Sequence, residues 1–115
     1  MSFDKGLAQR IREYLQDYPN LEEKKMFGGL CFMISRHMCC GIIEDKLMAR
    51  VGPEQYESLL KRDHTLKMDF TGKPMKGMIF VESQGLNTDE KLKKWLDFCI
   101  EFINTLPQKN NHWKY

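Results

Sequence analysis

The chain has 115 residues, which by length is a single domain. It carries 18 Lys and Arg against 16 Asp and Glu, and this near balance argues against a domain built to bind nucleic acid through a large basic excess. No apolar run approaches the ~20 residues of a membrane span, and the N-terminus lacks the apolar core of a signal peptide. We therefore predict one cytoplasmic domain over residues 1–107, followed by a flexible polar tail over residues 108–115.

An amphipathic helix is predicted at the start of the chain, over residues 3–18. Apolar side chains recur there at three- and four-residue steps, which is the period of a helix with one buried face. Pro19 cannot extend the helix, so we expect it to end near Asp17. Residues 21–25, LEEKK, are interpreted either as a lead-in or as a short edge strand whose charges discourage pairing with other chains.

The stretch from Met26 to Val51 is the centre of the predicted sheet. Its runs of strand length are residues 30–34, 38–43 and 46–51. The connections between them are so short that they predict an antiparallel meander. Gly28 and Gly29 open an apolar run and not a helix, so they indicate a bulge, a sharp bend or a close backbone approach, not a phosphate-binding loop.

The four cysteines are predicted to be buried core thiols. Cys31, Cys39, Cys40 and Cys99 contain no C-x-x-C pair, and free cysteine in a reducing compartment behaves as a small hydrophobe. The hairpin register stays open, because a two-residue turn sets Cys31 opposite Cys40 and a three-residue loop sets Met33 opposite Cys39. Adjacent strand residues point to opposite faces, so we expect that Cys39 and Cys40 do not share a metal.

The second half of the chain predicts a helix, a hairpin and a long final helix. The helix covers residues 53–61, the hairpin strands cover 65–70 and 75–81, and the last helix starts at a capping-box-like Asn87 and ends at Pro107. Trp95 is the largest apolar side chain on its buried stripe. The element order is α-β-β-β-α-β-β-α. The predicted fold class is α+β, a five-stranded, mostly antiparallel sheet with helices packed on it.

No catalytic constellation, cofactor site or metal site is predicted. The chain has neither a phosphate-loop motif nor a dinucleotide-binding motif. His37, His64 and His112 fall in a turn, a connection and the tail, and each is predicted to be a solvated loop residue. A zinc site from Cys31, His37 and one of the adjacent cysteines is a weaker hypothesis, because zinc ligands normally come as closely spaced pairs.

Charged residues inside the alternating strands are the candidate binding residues. Arg50 and Asp69 are most simply interpreted as lying on the solvent face of a one-sided sheet. The alternative is a sheet-surface ion pair, or a binding face formed by Arg50 with Lys73 and Lys76. A small flat face of this kind suits a protein or peptide partner better than catalysis. The lysines of the last helix are interpreted as a solvated face.

Several motifs resemble those of the TfoX/Sxy family. They are MFGGLCFM, the following MCCG, LMARVGPEQYE, MDFTGKPMKGMIFVE and a late tryptophan with NTLPQK, and they span about residues 8–109. The chain is similar to the family's short stand-alone members, which consist of the N-terminal domain alone. The resemblance marks motif positions and not catalytic residues. The positions are Met26, Phe27, Gly28, Gly29, Arg50, Asp69, Gly72, Pro74 and Gly77.

The resemblance implies a fold similar to the secretion-chaperone-like arrangement, a five-stranded antiparallel sheet with helices. Longer members are regulators of competence gene expression that act with the transcription machinery, and we expect this chain to lack their second domain, which has helix-hairpin-helix character. We therefore expect a non-enzymatic regulatory or protein-interaction module with an unidentified protein partner. The alternatives are a small-ligand-binding or thiol-dependent enzyme, and a weak nucleic-acid binder that uses Lys73, Lys76 and the tail. A homodimer is a further hypothesis, because a small sheet often leaves an edge or a face uncovered.

Overall fold

The computed structural model describes residues 3–26, 28–68 and 76–107, and this part of the chain forms six strands and three helices. The elements are α1 (Lys5–Leu15), β1 (Leu21–Met26), β2 (Gly29–Ile34), β3 (His37–Ile43), β4 (Lys46–Arg50), α2 (Pro53–Leu59), β5 (Thr65–Lys67), β6 (Met78–Val81) and α3 (Asp89–Ile103). The predicted α+β fold with an antiparallel sheet is confirmed. The sheet has six strands and not five, because residues 21–25 belong to β1.

The strands lie in the order β1-β2-β3-β4-β6-β5, and every neighbouring pair is antiparallel. The first four strands form a meander, α2 then carries the chain to β5 at the far edge, and β6 returns between β5 and β4. The predicted second hairpin is thus confirmed as β5 and β6, while its turn at residues 69–75 lies outside the described residues. In the described part of the chain, no helix is long and apolar enough to cross a membrane.

The helix boundaries follow from local capping. The Asp4 carboxylate accepts a hydrogen bond from the Leu7 N–H (3.0 Å) and starts α1. The helix ends two residues earlier than predicted, because the Tyr18 N–H bonds to the Leu15 carbonyl in a tighter last turn. The cap of α3 is Thr88 and not Asn87, since the Thr88 hydroxyl accepts from the Lys91 N–H (3.1 Å).

One apolar core lies between the sheet and the three helices. All the buried side chains of α1, α2 and α3 belong to it, together with alternate residues of the strands. Phe32, Leu47 and Leu96 are fully buried in it. Trp95 is 5% exposed and packs edge-to-face on Phe98, with 5.7 Å between the ring centroids, as expected of the largest side chain on the α3 stripe.

The ion pair between Arg12 and Glu23 joins α1 to β1, with Nε and Nη2 at 2.5 and 2.8 Å from the two carboxylate oxygens. The hydrogen bond from Arg12 lowers the pKa of Glu23. The ion pair therefore stabilises the fold above the pKa of a glutamate in the unfolded chain, about 4.3. This stabilisation is lost as the pH falls through the pKa of Glu23 in the folded protein. Both side chains are about one-third exposed, so Arg12→Gln should cost only about 0.5 kcal/mol at neutral pH.

Urea unfolding of Arg12→Gln at neutral and acidic pH measures this contribution. The matched control is Arg10→Gln. The Arg10 Nη2 atom lies 3.4 Å from Oδ1 of Asp89, and the Asp89 side chain is fully exposed. We expect a smaller cost in the control, and the cost of Arg12→Gln should shrink as the pH falls through the lowered pKa of Glu23 and the carboxylate becomes protonated. Equal costs for both variants, or a cost for Arg12→Gln that does not change with pH, would contradict this assignment.

Candidate functional site

One face of the sheet carries none of the helices in the described ranges. A second apolar cluster lies there, formed by Cys31, Met48, Met68 and Met78, with Met38, Ile43 and Phe80 packed against it. Strand pairing places three more side chains on this face, because residues directly opposite each other share a face. Met33 lies opposite Met38, Leu66 lies opposite Phe80, and Met26 lies opposite Gly29. We call this surface the methionine face. Its residues are Met26, Cys31, Met33, Met38, Ile43, Met48, Leu66, Met68, Met78 and Phe80.

The most exposed side chains of the methionine face lie at the two edges of the sheet. Met48 on β4 is fully buried, while Met38 and Phe80 are half-buried. Met26 on the β1 edge is 37% exposed, and Leu66 on the β5 edge is 41% exposed. Apolar side chains therefore reach solvent at both edges of the sheet. These side chains do not contribute to the core between the sheet and the helices.

Arg50 lies at the end of β4 and is held by two contacts. Its Nη1 donates to the Met38 carbonyl (3.2 Å), and its guanidinium lies 5.3 Å from the ring centroid of Phe102 on α3. The ring fits there because Gly52 has no side chain, since a Cβ at that position would lie 2.3 Å from Phe102 Cδ1. Arg50 is half-buried and joins β3 to α3, so it is not simply a solvent-facing residue.

Two of the four predicted binding residues can be placed. Lys76 is exposed and precedes Gly77, whose carbonyl accepts from the N–H groups of Val51 and Gly52 at 2.9 and 3.1 Å. The structure therefore brings Lys76 to the same end of the β4–β6 pair as Arg50. The other two, Asp69 and Lys73, lie outside the described residues, so the ion pair of Asp69 with Arg50 stays a prediction.

The β2–β3 hairpin has a register that neither sequence interpretation contained. The turn has two residues, Ser35 and Arg36, with φ of 50° and 72°. A bulge then follows, because Met33 pairs with Met38 whereas Phe32 pairs with Cys40. The extra residue is Cys39. As a result Cys31 lies opposite Gly41 and not opposite Cys40.

The bulge also overturns the expectation that Cys39 and Cys40 point to opposite faces. Both are fully buried in the core under the helices, where they meet Cys99 of α3, while Cys31 lies in the cluster on the other face. All four cysteines are free and buried, as predicted. Within the described ranges, no group of three or more His, Cys, Asp or Glu side chains is arranged to hold a metal ion.

The thiols of this core cluster are electrostatically unequal. Hydrogen bonds from the Cys40 and Cys99 thiols, helped by the charge of Arg50, lower the pKa of Cys39. The hydrogen bond to Cys39 and then burial raise the pKa of Cys40 and of Cys99, and burial alone raises the pKa of Cys31. A lowered pKa favours reactivity only where a reagent can reach the sulfur, and Cys39 is 0% exposed.

The comparison with protein families decides the identity of this fold. The family model of the TfoX N-terminal domain matches residues 13–103, which is most of the chain. The chain belongs to the TfoX N-terminal domain family. The predicted resemblance is thereby confirmed. Searches of curated proteins and of solved structures gave no significant match.

The glycine motif of this TfoX N-terminal domain shapes the β1–β2 hairpin. Gly28 has a φ of 77° in the turn after Met26. Gly29 approaches β3 so closely that a Cβ on it would lie 1.9 Å from the Ile42 carbonyl oxygen. The sharp bend and the close backbone approach expected from Gly28-Gly29 are therefore both present. Gly77 has a φ of 99° beside β4, while motif positions Phe27, Gly72 and Pro74 lie outside the described residues.

The histidines of the domain differ from the prediction in one case. His37 is the first residue of β3 and is only 8% exposed, because its Nε2 lies 2.8 Å from the Pro107 carbonyl oxygen. It is therefore a buried residue that connects the hairpin to the segment after α3. His64 is half-buried in the connection before β5, and His112 lies outside the described part of the chain.

Proposed function

We propose that this TfoX N-terminal domain is a non-enzymatic protein-interaction module, and that its partner binds the methionine face. The observation that supports the proposal is the exposure of apolar side chains at both edges of that face, Met26 on β1 and Leu66 on β5. Methionine side chains are flexible and polarisable, so they adapt to the shape of a protein partner. Apolar surface that is continuous and reaches solvent is typical of an interaction site.

The shape of the surface favours a protein partner over a small molecule. The methionine face spans all six strands of the sheet, with apolar side chains along its centre and exposed apolar side chains, Met26 and Leu66, at its two edges. Protein interfaces have an apolar centre of this kind, whereas small-molecule sites are concave. A thiol-dependent enzyme has less support, because all four cysteines are 0% exposed. By analogy with the longer relatives named above, we infer a regulatory role for the complex, related to competence or transcription regulation.

Affinity capture with edge variants tests the proposal. The tagged domain is incubated with lysate of its own organism, with and without nuclease, in parallel with Met26→Glu, Leu66→Glu and the control Ser58→Glu. Ser58 is exposed on α2, on the helix side of the sheet. We expect a specific protein that binds wild type and Ser58→Glu equally and is reduced about tenfold or more by each charged edge variant, since a buried charge in an interface is costly.

Two results would contradict the proposal. Capture of the same proteins by Leu66→Glu and by wild type would mean that the methionine face is not the docking surface. Loss of all partners on nuclease treatment would favour nucleic-acid binding instead. Because Met26 and Leu66 are exposed, their substitution should change the free energy of unfolding by only about 0.5 kcal/mol, which urea unfolding of each variant checks.

A further inference from the structure

A basic cleft lies on the helix side of the molecule, between the connection from α2 to β5 and the start of α3. Its volume is about 450 Å³. The cations that define it are Lys61, Arg62, Lys91 and Lys94. Its other lining residues are Asp63, His64, Gly85 and Trp95.

The walls of the basic cleft are held by hydrogen bonds and close packing. The Thr65 hydroxyl oxygen lies 3.0 and 2.8 Å from the carbonyl oxygens of Leu60 and Arg62, so its single proton is shared between them or donated to one, and this fixes the connection. The His64 carbonyl accepts from the Glu82 N–H (2.8 Å). Gly85, in the 3₁₀ turn before α3, packs so closely that a Cβ on it would lie 3.2 Å from that of His64. These contacts fix the backbone that lines the cleft, while its four cationic side chains are exposed.

Among the described residues, the cations of the basic cleft are not held in salt bridges, although the carboxylates of Glu90 and Asp97 lie in the adjoining groove on α3. Within the described residues none of the four forms a salt bridge, whereas Lys93 on the adjacent side of α3 pairs with Asp97 at 3.0 Å. The Lys91 ammonium bonds to a neutral amide oxygen, that of Asn87, at 3.1 Å. Arg62 stacks over the Phe98 ring, with its guanidinium carbon 5.3 Å from the centroid. Asp63 is the one carboxylate among the described lining residues.

We propose that the basic cleft binds the polyphosphate group of a small ligand. Four cations against one carboxylate leave an excess of about three positive charges, which a chain of two or three phosphates offsets and a single carboxylate does not. Lysine and a pre-oriented arginine are the side chains that recognise phosphate oxygens. A cavity of about 450 Å³ lies in the range that small-molecule ligands occupy. This site is separate from the methionine face, so either can fail without the other.

The test is a titration with sodium tripolyphosphate, followed by amide and indole NMR signals of the ¹⁵N-labelled domain. The variant is Lys91→Gln/Lys94→Gln, and the matched control is Lys24→Gln/Lys25→Gln, which removes two exposed charges from β1. We expect shifts at His64, Gly85 and Trp95, binding weakened about tenfold or more by the cleft variant, and binding within about twofold of wild type in the control, since the lost contacts are charge-assisted.

Three results would overturn the proposal. One is the absence of shifts at millimolar tripolyphosphate, and another is equal weakening by both double variants, which would mean diffuse attraction to net charge. The third comes from a parallel titration with a short single-stranded oligonucleotide. If the oligonucleotide shifts the cleft signals and tripolyphosphate does not, the site recognises a nucleic-acid backbone and not a small polyphosphate.

Discussion

Gly29→Ala is expected to destabilise the domain by about 3 kcal/mol or more, a large fraction of the stability of a small domain. The reason is steric and local. A Cβ at position 29 would lie 1.9 Å from the carbonyl oxygen of Ile42 and 3.0 Å from its carbonyl carbon. The obstacle is hydrogen-bonded backbone within β3, so it cannot rotate away as a side chain would. Relief requires β2 and β3 to separate.

Gly28→Ala is the matched control for this prediction. Gly28 has a φ of 77°, so alanine there costs about 1–2 kcal/mol of left-handed backbone strain. Urea unfolding, followed by circular dichroism, measures both variants. We expect the loss of stability at position 29 to exceed the loss at position 28. The reverse order, or an unchanged unfolding midpoint for Gly29→Ala, would mean that the strands do not approach as closely as described.

Trp95→Ala is expected to cost about 3–5 kcal/mol, through lost burial and the cavity that remains. Trp95 is 5% exposed, lies in the core between α3 and the sheet, and contacts Phe98 edge-to-face. Neighbouring side chains cannot fill the space of an indole without leaving their own contacts. The domain should therefore remain folded only marginally, with a lowered melting temperature.

Leu66→Ala is the control for the tryptophan prediction, because Leu66 is 41% exposed on the β5 edge. Removing its side chain should cost about 0.5 kcal/mol. Thermal and urea unfolding give both values. A loss for Trp95→Ala no larger than that for Leu66→Ala would contradict the assignment of Trp95 to the core.

Much of the fold could be predicted from the sequence because its elements follow simple periods. The apolar stripe of α3 and the alternation in β4 each depend only on which residues face the core. Residues 21–25 were ambiguous because a charged edge strand carries no apolar alternation. Pairing with β2 makes it a strand, and pairing is not visible in a single segment.

The candidate site was less predictable because it depends on register. The bulge at Cys39 places two adjacent thiols on one face. No local pattern in HMCCG indicates that β3 has one residue more than β2 at this point. The burial of His37 depends on Pro107, which lies 70 positions along the chain. The methionine face did leave a signal, because Met33, Met38 and Met48 all fall at outward positions of neighbouring strands. Its significance required knowing that the helices cover the other face.

The basic cleft could not be predicted from the sequence either, because it depends on tertiary packing. Lys61 and Arg62 follow α2, whereas Lys91 and Lys94 lie on α3, and each pair alone is an ordinary solvated group. The sequence alone predicts that the lysines of the last helix form a solvated face. Only the packing of the connection beside α3 brings the two pairs to one cavity, so their joint charge emerges from tertiary structure.

The most direct test of partner binding at the methionine face is an NMR titration of the domain with the partner identified by capture. The domain is labelled with ¹³C at its methionine methyl groups. The methyls of Met26, Met33 and Met38 report on the methionine face, and backbone amides of α1 and α3 report on the helix side. We predict shifts of these methyls at substoichiometric partner, with the α1 and α3 amides unchanged. Shifts confined to the α1 and α3 amides, with the methionine methyls unmoved, would contradict it.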